Sequence, residues 1–381
     1  MAIRDAFRLR STDIPALYGL RGAAALWVMA FHAWSLSGYP NVTLMGVPLN
    51  VMLSSGRLGV DGFFVLSAFL LTGLLLKQPD LSWRNYVERR ALRILPAYYI
   101  HLALLVMLAL GGVYGHLPRW PDALAHILML HNLRDDWIFS FNNISLWSLP
   151  VEFSFYLMLP LLFMIAKRHW GVFLLAAFLL TLLYRWIAFG YVEHSELRTT
   201  KFWLLEQLPG RLDQFACGML AAFVHQRLTP YYVSQKQQGQ IMIETLLISL
   251  GVLGIALLGA YWHSLRSWQD TSPYWNGDSS LFWLHGAVGA CYALLILGLA
   301  CDGRVGRRLL GNRLLLLVGL VSYGLYLWHE PFLSMIQHVT PSFEMLLMAT
   351  LPVALVAGTA SFILIERPCE HWARQRHRLY R

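Results

Sequence analysis

Two ionisable residues, Arg21 and His32, lie within the first apolar segment of the chain and could support chemistry there. They are embedded among Ala, Leu, Val, Met, Phe and Trp between Ile14 and Trp34. A step of eleven residues returns to nearly the same face of an α-helix, so we expect both side chains on one face, roughly 16 Å apart. Ionisable side chains inside a bilayer are costly and are usually functional. The pair therefore predicts a polar path through the membrane.

A group of possible acid and base residues is expected near the outer side of this path. His32, Asp61, Glu152 and His329 fall at similar predicted depths in four different apolar segments. Imidazole is the usual general base near neutral pH, and a neighbouring carboxylate can orient it. Either Asp61 or Glu152 could do this for His32, so these three residues are the candidate catalytic group. Singly, Asp61 could instead cap a helix, and His329 could sit at the membrane interface.

A second group, of arginines, is expected near the inner side. Arg21 lies in the inner third of its segment, and Arg90 and Arg93 open the third segment. Residues three apart share a helix face, and guanidinium groups bind phosphates through bidentate, charge-assisted hydrogen bonds. The sequence thus predicts either a clamp for a phosphorylated donor from the cytoplasm or ordinary basic anchors at the membrane surface.

The composition is that of an integral membrane protein. The 381 residues are 57% hydrophobic and only 13% charged, with a mean hydropathy of +0.50, whereas soluble domains carry about 25% charged residues. Apolar runs long enough to cross the bilayer recur along the chain. We predict an all-α polytopic membrane protein with about ten transmembrane helices enclosing a polar pore. The predicted segments are 14–37, 58–76, 95–114, 145–166, 170–190, 209–226, 241–262, 281–301, 312–337 and 344–366.

The distribution of basic residues predicts the orientation. With the N-terminus in the cytoplasm, 21 of the 30 Lys and Arg residues fall on the inner side, six fall in outer loops and three lie within segments. This asymmetry follows the positive-inside rule and places both termini in the cytoplasm. The predicted division is a cytoplasmic N-terminus (1–13), a transmembrane domain (14–366) and a basic cytoplasmic tail (367–381). The net charge of +9 is then a topological signal, and no nucleic-acid partner is predicted.

Neither the cysteines nor the remaining charged residues of the outer side predict a metal site. The four cysteines are scattered and form no C-x-x-C motif, which is typical of small apolar packing residues. Four charged residues near the outer ends of the fifth and sixth segments either line an acceptor site or pair with one another. These are Arg185, Glu206, Arg211 and Asp213.

Six short motifs occur in order from the first segment to the tail. They are Tyr18–Gly22 followed by His32; Gly59–Ser67; Arg90–Tyr98; Trp147–Glu152 with Phe155 and Tyr156; Ser322–His329; and Ile365–Pro368. Together they resemble the motif series of the acyltransferase 3 family of membrane acyltransferases. The chain departs from that series at Phe153, where relatives often have a second acidic residue, and at Glu330, where an aromatic residue is common.

This resemblance implies a ten-helix enzyme that transfers an acyl group, usually acetyl, from cytoplasmic acetyl-CoA. The acceptor would be a hydroxyl of an extracytoplasmic or lipid-linked glycan, and the membrane a bacterial cytoplasmic (inner) membrane. His32 would be the essential imidazole, and Arg21, Arg90 and Arg93 would contact the donor. The C-terminal motifs supply the expected substrate-binding residues, which are Tyr323, Tyr326, His329 and Glu366.

A proton-coupled transporter or flippase of a polysaccharide-assembly pathway is the main alternative. Buried His, Asp and Glu residues can relay protons in carriers. A carrier would often show paired halves or helices broken at matching positions, and the sequence shows neither. The identity of the acceptor and the oligomeric state are not specified by the sequence.

Overall fold

The computed structural model describes residues 7, 9, 13–193, 203–265, 279–340 and 342–379 as an almost entirely helical protein. The helices are α1 (Pro15–Leu36), α2 (Asn50–Ser54), α3 (Gly59–Lys77), α4 (Trp83–Leu110), α5 (Trp120–Ile127), α6 (Ser148–Arg168), α7 (Trp170–Glu193), α8 (Leu208–Ser234), α9 (Gln237–Ser264), α10 (Leu284–Ala300), α11 (Arg304–Leu309), α12 (Arg313–Leu320), α13 (Ser322–Ile336), α14 (Phe343–Ser361) and α15 (Arg367–Leu379).

Shorter elements connect these helices. A two-stranded antiparallel hairpin, β1 (Thr43–Leu44) and β2 (Val47–Pro48), follows α1. Single 3-10 turns lie at Ser55–Leu58, His131–Leu133, Ile144–Trp147 and Ser279–Phe282, and a π-helical turn, Phe362–Glu366, joins α14 to α15. Parts of the predicted cytoplasmic segments 1–13 and 367–381 lie outside the described residues.

Within the described part of the chain, six helical stretches are long and apolar enough to cross a membrane, and a bent pair would make a seventh. They are Asn50–Lys77, Trp83–Leu110, Ile144–Arg168, Trp170–Tyr191, Gln237–Ser264 and Phe343–Ala373. The all-α membrane architecture is therefore confirmed. Each of the ten predicted segments coincides with helical residues, but ten crossings and cytoplasmic termini stay predictions.

The ninth predicted segment is not one straight helix. It consists of α12 and α13, which are bent by 76° at a break around Val321. The hydroxyl of Ser322 donates a hydrogen bond to the carbonyl of Gly319, 2.8 Å away. Side-chain bonding of this kind competes with the regular helix ladder and accompanies kinks. The bend turns α13, which carries Tyr326, His329 and Glu330, toward the middle of the bundle.

Helix α1, which carries Arg21 and His32, is held by close backbone packing against the segment around α12. A Cβ atom added at Gly19 would lie 1.7 Å from the carbonyl oxygen of Leu310, and one added at Gly319 would lie 1.9 Å from that of Tyr18. Small residues allow membrane helices to approach this closely. The glycines therefore fix the position of the helix from which both ionisable residues project.

This packing predicts that Gly319→Ala destabilises the protein. The added methyl group meets backbone rather than a movable side chain, and overpacking of this kind typically costs about 1–3 kcal/mol. Gly73→Ala on α3 is the matched control, because nothing lies within 4 Å of the added Cβ atom there. Thermal unfolding in detergent should show a lower midpoint for Gly319→Ala only. Equal midpoints for the two variants would contradict the proposed packing.

Candidate active site

Three adjoining cavities occupy the interior of the bundle. A lower cavity of about 700 Å³ and a middle cavity of about 90 Å³ share Arg21, Arg90 and Arg93 in their walls. An upper cavity of about 320 Å³ is lined by His32 and meets the middle cavity at Val60 and Tyr326. The cavities therefore adjoin one another between the arginines and His32, and Val60 and Tyr326 form the boundary between the middle and the upper cavity.

His32 is paired end to end with His329. Its Nδ1 lies 2.9 Å from Nε2 of His329, and the ring planes are 11° apart with centroids separated by 5.1 Å. By contrast, the rings of His126 and His131 stack face to face at 3.8 Å. The longer centroid separation and short nitrogen distance of the first pair mean that its ring nitrogens point at one another. His32 and His329 are therefore joined by an in-plane hydrogen bond.

The bonding around His329 fixes which nitrogen of His32 is basic. Nδ1 of His329 lies 2.8 Å from the carbonyl oxygen of Tyr326 and 3.2 Å from that of Leu325, so this nitrogen must donate. In a neutral imidazole the other nitrogen then accepts. Nε2 of His329 consequently accepts from Nδ1–H of His32. The second nitrogen of His32, Nε2, therefore carries the lone pair, and His32 lines the upper cavity.

The carboxylate of Glu330 lies beside this pair of histidines. The side chains of His32, His329 and Glu330 each offer one atom that could bind a metal ion. Oε2 of Glu330 lies 3.7 Å from Nδ1 of His32. An ion between the two histidines would need Zn–N distances of about 2.0–2.1 Å, which the 2.9 Å separation of the facing nitrogens cannot accommodate on the line between them. The pair is better suited to sharing a proton.

Helix α13 is braced where it carries His329. Pro331 has no N–H, so it cannot bond the carbonyl of Leu327 four residues before it. The side-chain amide of Asn143 supplies that bond at 3.0 Å, and Ser145 Oγ lies 3.3 Å from Nε2 of His329. The segment before α6 thus holds the imidazole that orients His32.

The sequence allows Asp61 to be a partner of His32, but in the structure Asp61 binds other residues. Its Oδ1 accepts hydrogen bonds from Arg211, from the amide of Gln214 and from the ring of His285; the Arg211 and His285 distances are both 3.0 Å. Asp61 lines the upper cavity, but these three donors already surround the oxygen. The carboxylate therefore ties α3 to α8 and α10 and gives the cavity its shape.

Glu152 likewise lies away from His32, in the wall of the middle cavity. One carboxylate oxygen accepts hydrogen bonds from the hydroxyl groups of Ser67 and Tyr156. Helix α6, which carries Glu152, follows the 3-10 turn Ile144–Trp147. Glu152 faces the cavity that also holds Arg21.

The predicted arginine cluster is assembled in the structure. Arg21, Arg90 and Arg93 come from α1 and α4 and line both lower cavities. Nε of Arg90 is buried and has no hydrogen-bond partner among the described residues, while Arg93 lies 3.6 Å from the carboxylate of Glu370 on α15. Three guanidinium groups around one space repel each other, and a bound polyanion would relieve that repulsion.

Comparison with known proteins identifies the family. Residues 14–367, nearly the whole chain, match the acyltransferase domain of the acyltransferase 3 family. The chain belongs to the acyltransferase 3 family. No solved structure matches it significantly.

Several curated relatives of this acyltransferase 3 chain are named O-acetyltransferases. It is 26% identical to the peptidoglycan O-acetyltransferase OatA of Listeria monocytogenes over 93% of this chain and 54% of the relative. It is 27% identical to a putative O-acetyltransferase of Staphylococcus aureus strain COL over 85% of this chain and 51% of the relative. It is 26% identical to O-acetyltransferase OatA of S. aureus strain NCTC 8325 over 84% of this chain and 50% of the relative. The chain thus spans about half the length of the curated relatives it matches.

The residues of the C-terminal family motifs take different places. Tyr326 stands between the middle and upper cavities, where its hydroxyl donates to the carbonyl of Ser145 at 2.8 Å and lies 2.6 Å from Ser148 Oγ. Tyr323 lines the middle cavity and donates to the carbonyl of Ile94. Glu366 accepts from Ser361 within the π-helical turn and lines none of the three cavities. His329 is likewise behind the wall and contacts His32, not the cavity.

The charged residues of the outer side mostly pair with one another. Arg211 forms a buried double hydrogen bond with Glu206, and Arg185 lies 2.9 Å from Asp213. Arg211 also lines the upper cavity of this acyltransferase 3 chain. Sequence reasoning missed Arg57 and Trp262 in the same wall because one looked like a loop residue and the other like an ordinary membrane aromatic.

The His32–His329 bond predicts that His329 acts through His32. His329→Ala should lower kcat of acyl transfer about 100-fold with little change in the KM values, because a misoriented base still leaves both substrate cavities intact. His329→Gln, whose side-chain oxygen can accept from Nδ1–H, should recover part of the rate. Steady-state kinetics of the two variants test this. A rate for His329→Ala equal to that of wild type would exclude the orienting role.

Proposed function

We propose that this protein is an O-acetyltransferase of the bacterial cytoplasmic membrane that uses acetyl-CoA from the cytoplasm. It transfers the acetyl group to a hydroxyl of an extracytoplasmic or lipid-linked glycan. One observation carries the proposal, namely that an arginine-lined cavity adjoins the cavity that His32 lines. This arrangement supports phosphate binding and general-base catalysis within one interior.

The donor is proposed to enter the lower cavity. Its phosphate groups bind Arg90 and Arg93, and Arg21 contacts the donor further up the path. The volume of about 700 Å³ is within the range of cofactor sites. The narrower middle cavity would hold the end of the pantetheine arm, which places the thioester close to Val60 and Tyr326.

The transfer step follows from the tautomer of His32. Nε2 removes the proton of the acceptor hydroxyl, and the oxygen attacks the thioester carbonyl carbon. The carbon–sulfur bond breaks, and the proton passes from His32 to the departing thiolate, which leaves as CoA–SH. During the step the positive charge on His32 is stabilised by its hydrogen bond to His329 and by the nearby carboxylate of Glu330. No net proton or electron is lost.

The proposed acceptor class is supported by the relatives. The Listeria relative is named a peptidoglycan O-acetyltransferase, and an amino-sugar glycan is therefore the first acceptor to test. No feature of the described helices specifically favours the transporter alternative over transfer. Release of free CoA thiol distinguishes the two, because a carrier does not cleave a thioester.

The first test is His32→Ala. Acetyl transfer and acceptor-dependent release of CoA thiol should fall by at least about 100-fold, because the general base is removed. The variant should elute as wild type on size-exclusion chromatography and retain CoA binding. Full transfer activity in a correctly inserted His32→Ala protein would remove the proposed mechanism.

The second test concerns the donor clamp. Arg90→Ala and Arg93→Ala should each raise KM for acetyl-CoA roughly tenfold or more and leave KM for the acceptor nearly unchanged, because each removes a charge-assisted phosphate contact. Arg84→Ala, an exposed residue on the same helix, is the matched control and should behave as wild type. Unchanged affinity of both clamp variants for CoA would show that the phosphates bind elsewhere.

A further inference from the structure

The upper cavity is lined by a buried carboxylate group, one oxygen of which has no hydrogen-bond partner among the described residues. Glu330 follows His329 on α13, is 7% exposed and lines the cavity. Its Oε1 lies 3.5 Å from Ser334 Oγ, whereas Oε2 has no hydrogen-bond partner among the described residues. The nearest ring nitrogen, Nδ1 of His32 at 3.7 Å, already donates to His329.

The other charges in this cavity wall are matched. Asp61 accepts from Arg211 and His285. Arg211 also binds Glu206, and Arg57 lies 3.7 Å from the same carboxylate while resting over the ring of Trp262. Within the described wall, Glu330 is thus the carboxylate that is left without a hydrogen-bonded cation. A buried acceptor without a donor is unfavourable, so a ligand that brings a donor is stabilised there.

The shape and lining of the cavity indicate what kind of ligand brings that donor. Its volume of about 320 Å³ suits one or two sugar rings. Aromatic side chains form much of the wall, and they offer flat apolar faces for the C–H surfaces of a sugar. They are Phe31, Tyr39, Phe139, Trp147, Trp262 and Tyr326. A sugar that carries its own carboxylate would be repelled by Glu330, because the neighbouring arginines are already paired.

We propose that the upper cavity binds an uncharged sugar ring of the acceptor, and that the carboxylate of Glu330 accepts a hydrogen bond from a hydroxyl or amide N–H of that ring. A second hydroxyl of the same ring then faces Nε2 of His32. Glu330 thereby determines which class of glycan is acetylated. This inference deepens the proposed function and rests on it for the role of the bound sugar as acceptor.

Binding of two saccharides to the purified full chain tests the proposal without requiring turnover. N,N′-diacetylchitobiose is the neutral probe and digalacturonate the anionic one, and saturation-transfer NMR titrations give their Kd values. Wild type should bind the neutral probe at least tenfold more tightly. Glu330→Gln should weaken chitobiose binding roughly tenfold and Glu330→Ala up to about 100-fold. Glu330→Gln should also reduce the ratio of the Kd for digalacturonate to the Kd for chitobiose.

Glu344→Gln is the matched control, since Glu344 is an exposed carboxylate at the start of the following helix, and it should bind both probes as wild type does. In transfer assays with chitobiose as acceptor, Glu330→Gln should raise KM for the sugar and leave KM for acetyl-CoA unchanged. A loss confined to kcat would instead show that Glu330 serves only to stabilise protonated His32, and would overturn the sugar-binding role.

The wild-type titrations decide the matter even if the variants do not fold. Equal affinity of wild type for chitobiose and digalacturonate overturns the proposal, and so does unaltered chitobiose binding by a folded Glu330→Ala. If acetyl transfer occurs but chitobiose binding does not depend on Glu330, the sugar-binding role of Glu330 is wrong and the proposed function stands. If Glu330-dependent chitobiose binding occurs without any acetyl transfer, the sugar site stands and the proposed function fails.

Discussion

The hydrogen bond between His32 and His329 is the interaction on which the rest of the site depends. It joins α1 to α13, and its direction is set by the backbone carbonyls that accept from the far nitrogen of His329. That direction leaves the lone pair on Nε2 of His32, a residue that lines the upper cavity. In the proposed mechanism a neutral imidazole performs the orienting task that a carboxylate performs in many acid–base pairs.

Burying so many polar groups in a helical bundle requires that nearly all of them be satisfied. The outer network of Asp61, Glu206 and Arg211 does this through mutual hydrogen bonds, and breaking such a buried network is strongly destabilising. These residues therefore form a scaffold around the upper cavity. Nε of Arg90 and Oε2 of Glu330 are among the buried polar atoms without a hydrogen-bond partner in the described part of the chain. They belong to residues that line the lower and upper cavities, where the donor and the acceptor are proposed to bind.

The sequence was sufficient to predict the helical membrane architecture and the arginine cluster. Hydropathy marks the segments, and Arg90 and Arg93 share a helix face by spacing alone. Partners across the bundle were not predictable in this way. Depth alone makes either Asp61 or Glu152 a possible partner of His32, yet depth does not determine rotation about a helix axis, and Glu152 lines the middle cavity instead. The bend before α13, the helix that carries His329, coincides with a local side-chain hydrogen bond that hydropathy cannot reveal.

Val60 and Tyr326 stand where the middle and upper cavities meet. The hydroxyl of Tyr326 is held by Ser145 and Ser148, and in the proposed mechanism the thioester reaches past this boundary to His32. A structure of the protein with CoA bound, determined by electron cryomicroscopy, tests this arrangement most directly. The phosphates of CoA should lie at Arg90 and Arg93, and its thiol in the middle cavity beneath Tyr326. CoA bound outside these cavities, or a His32 ring turned away from the thiol, would contradict this arrangement.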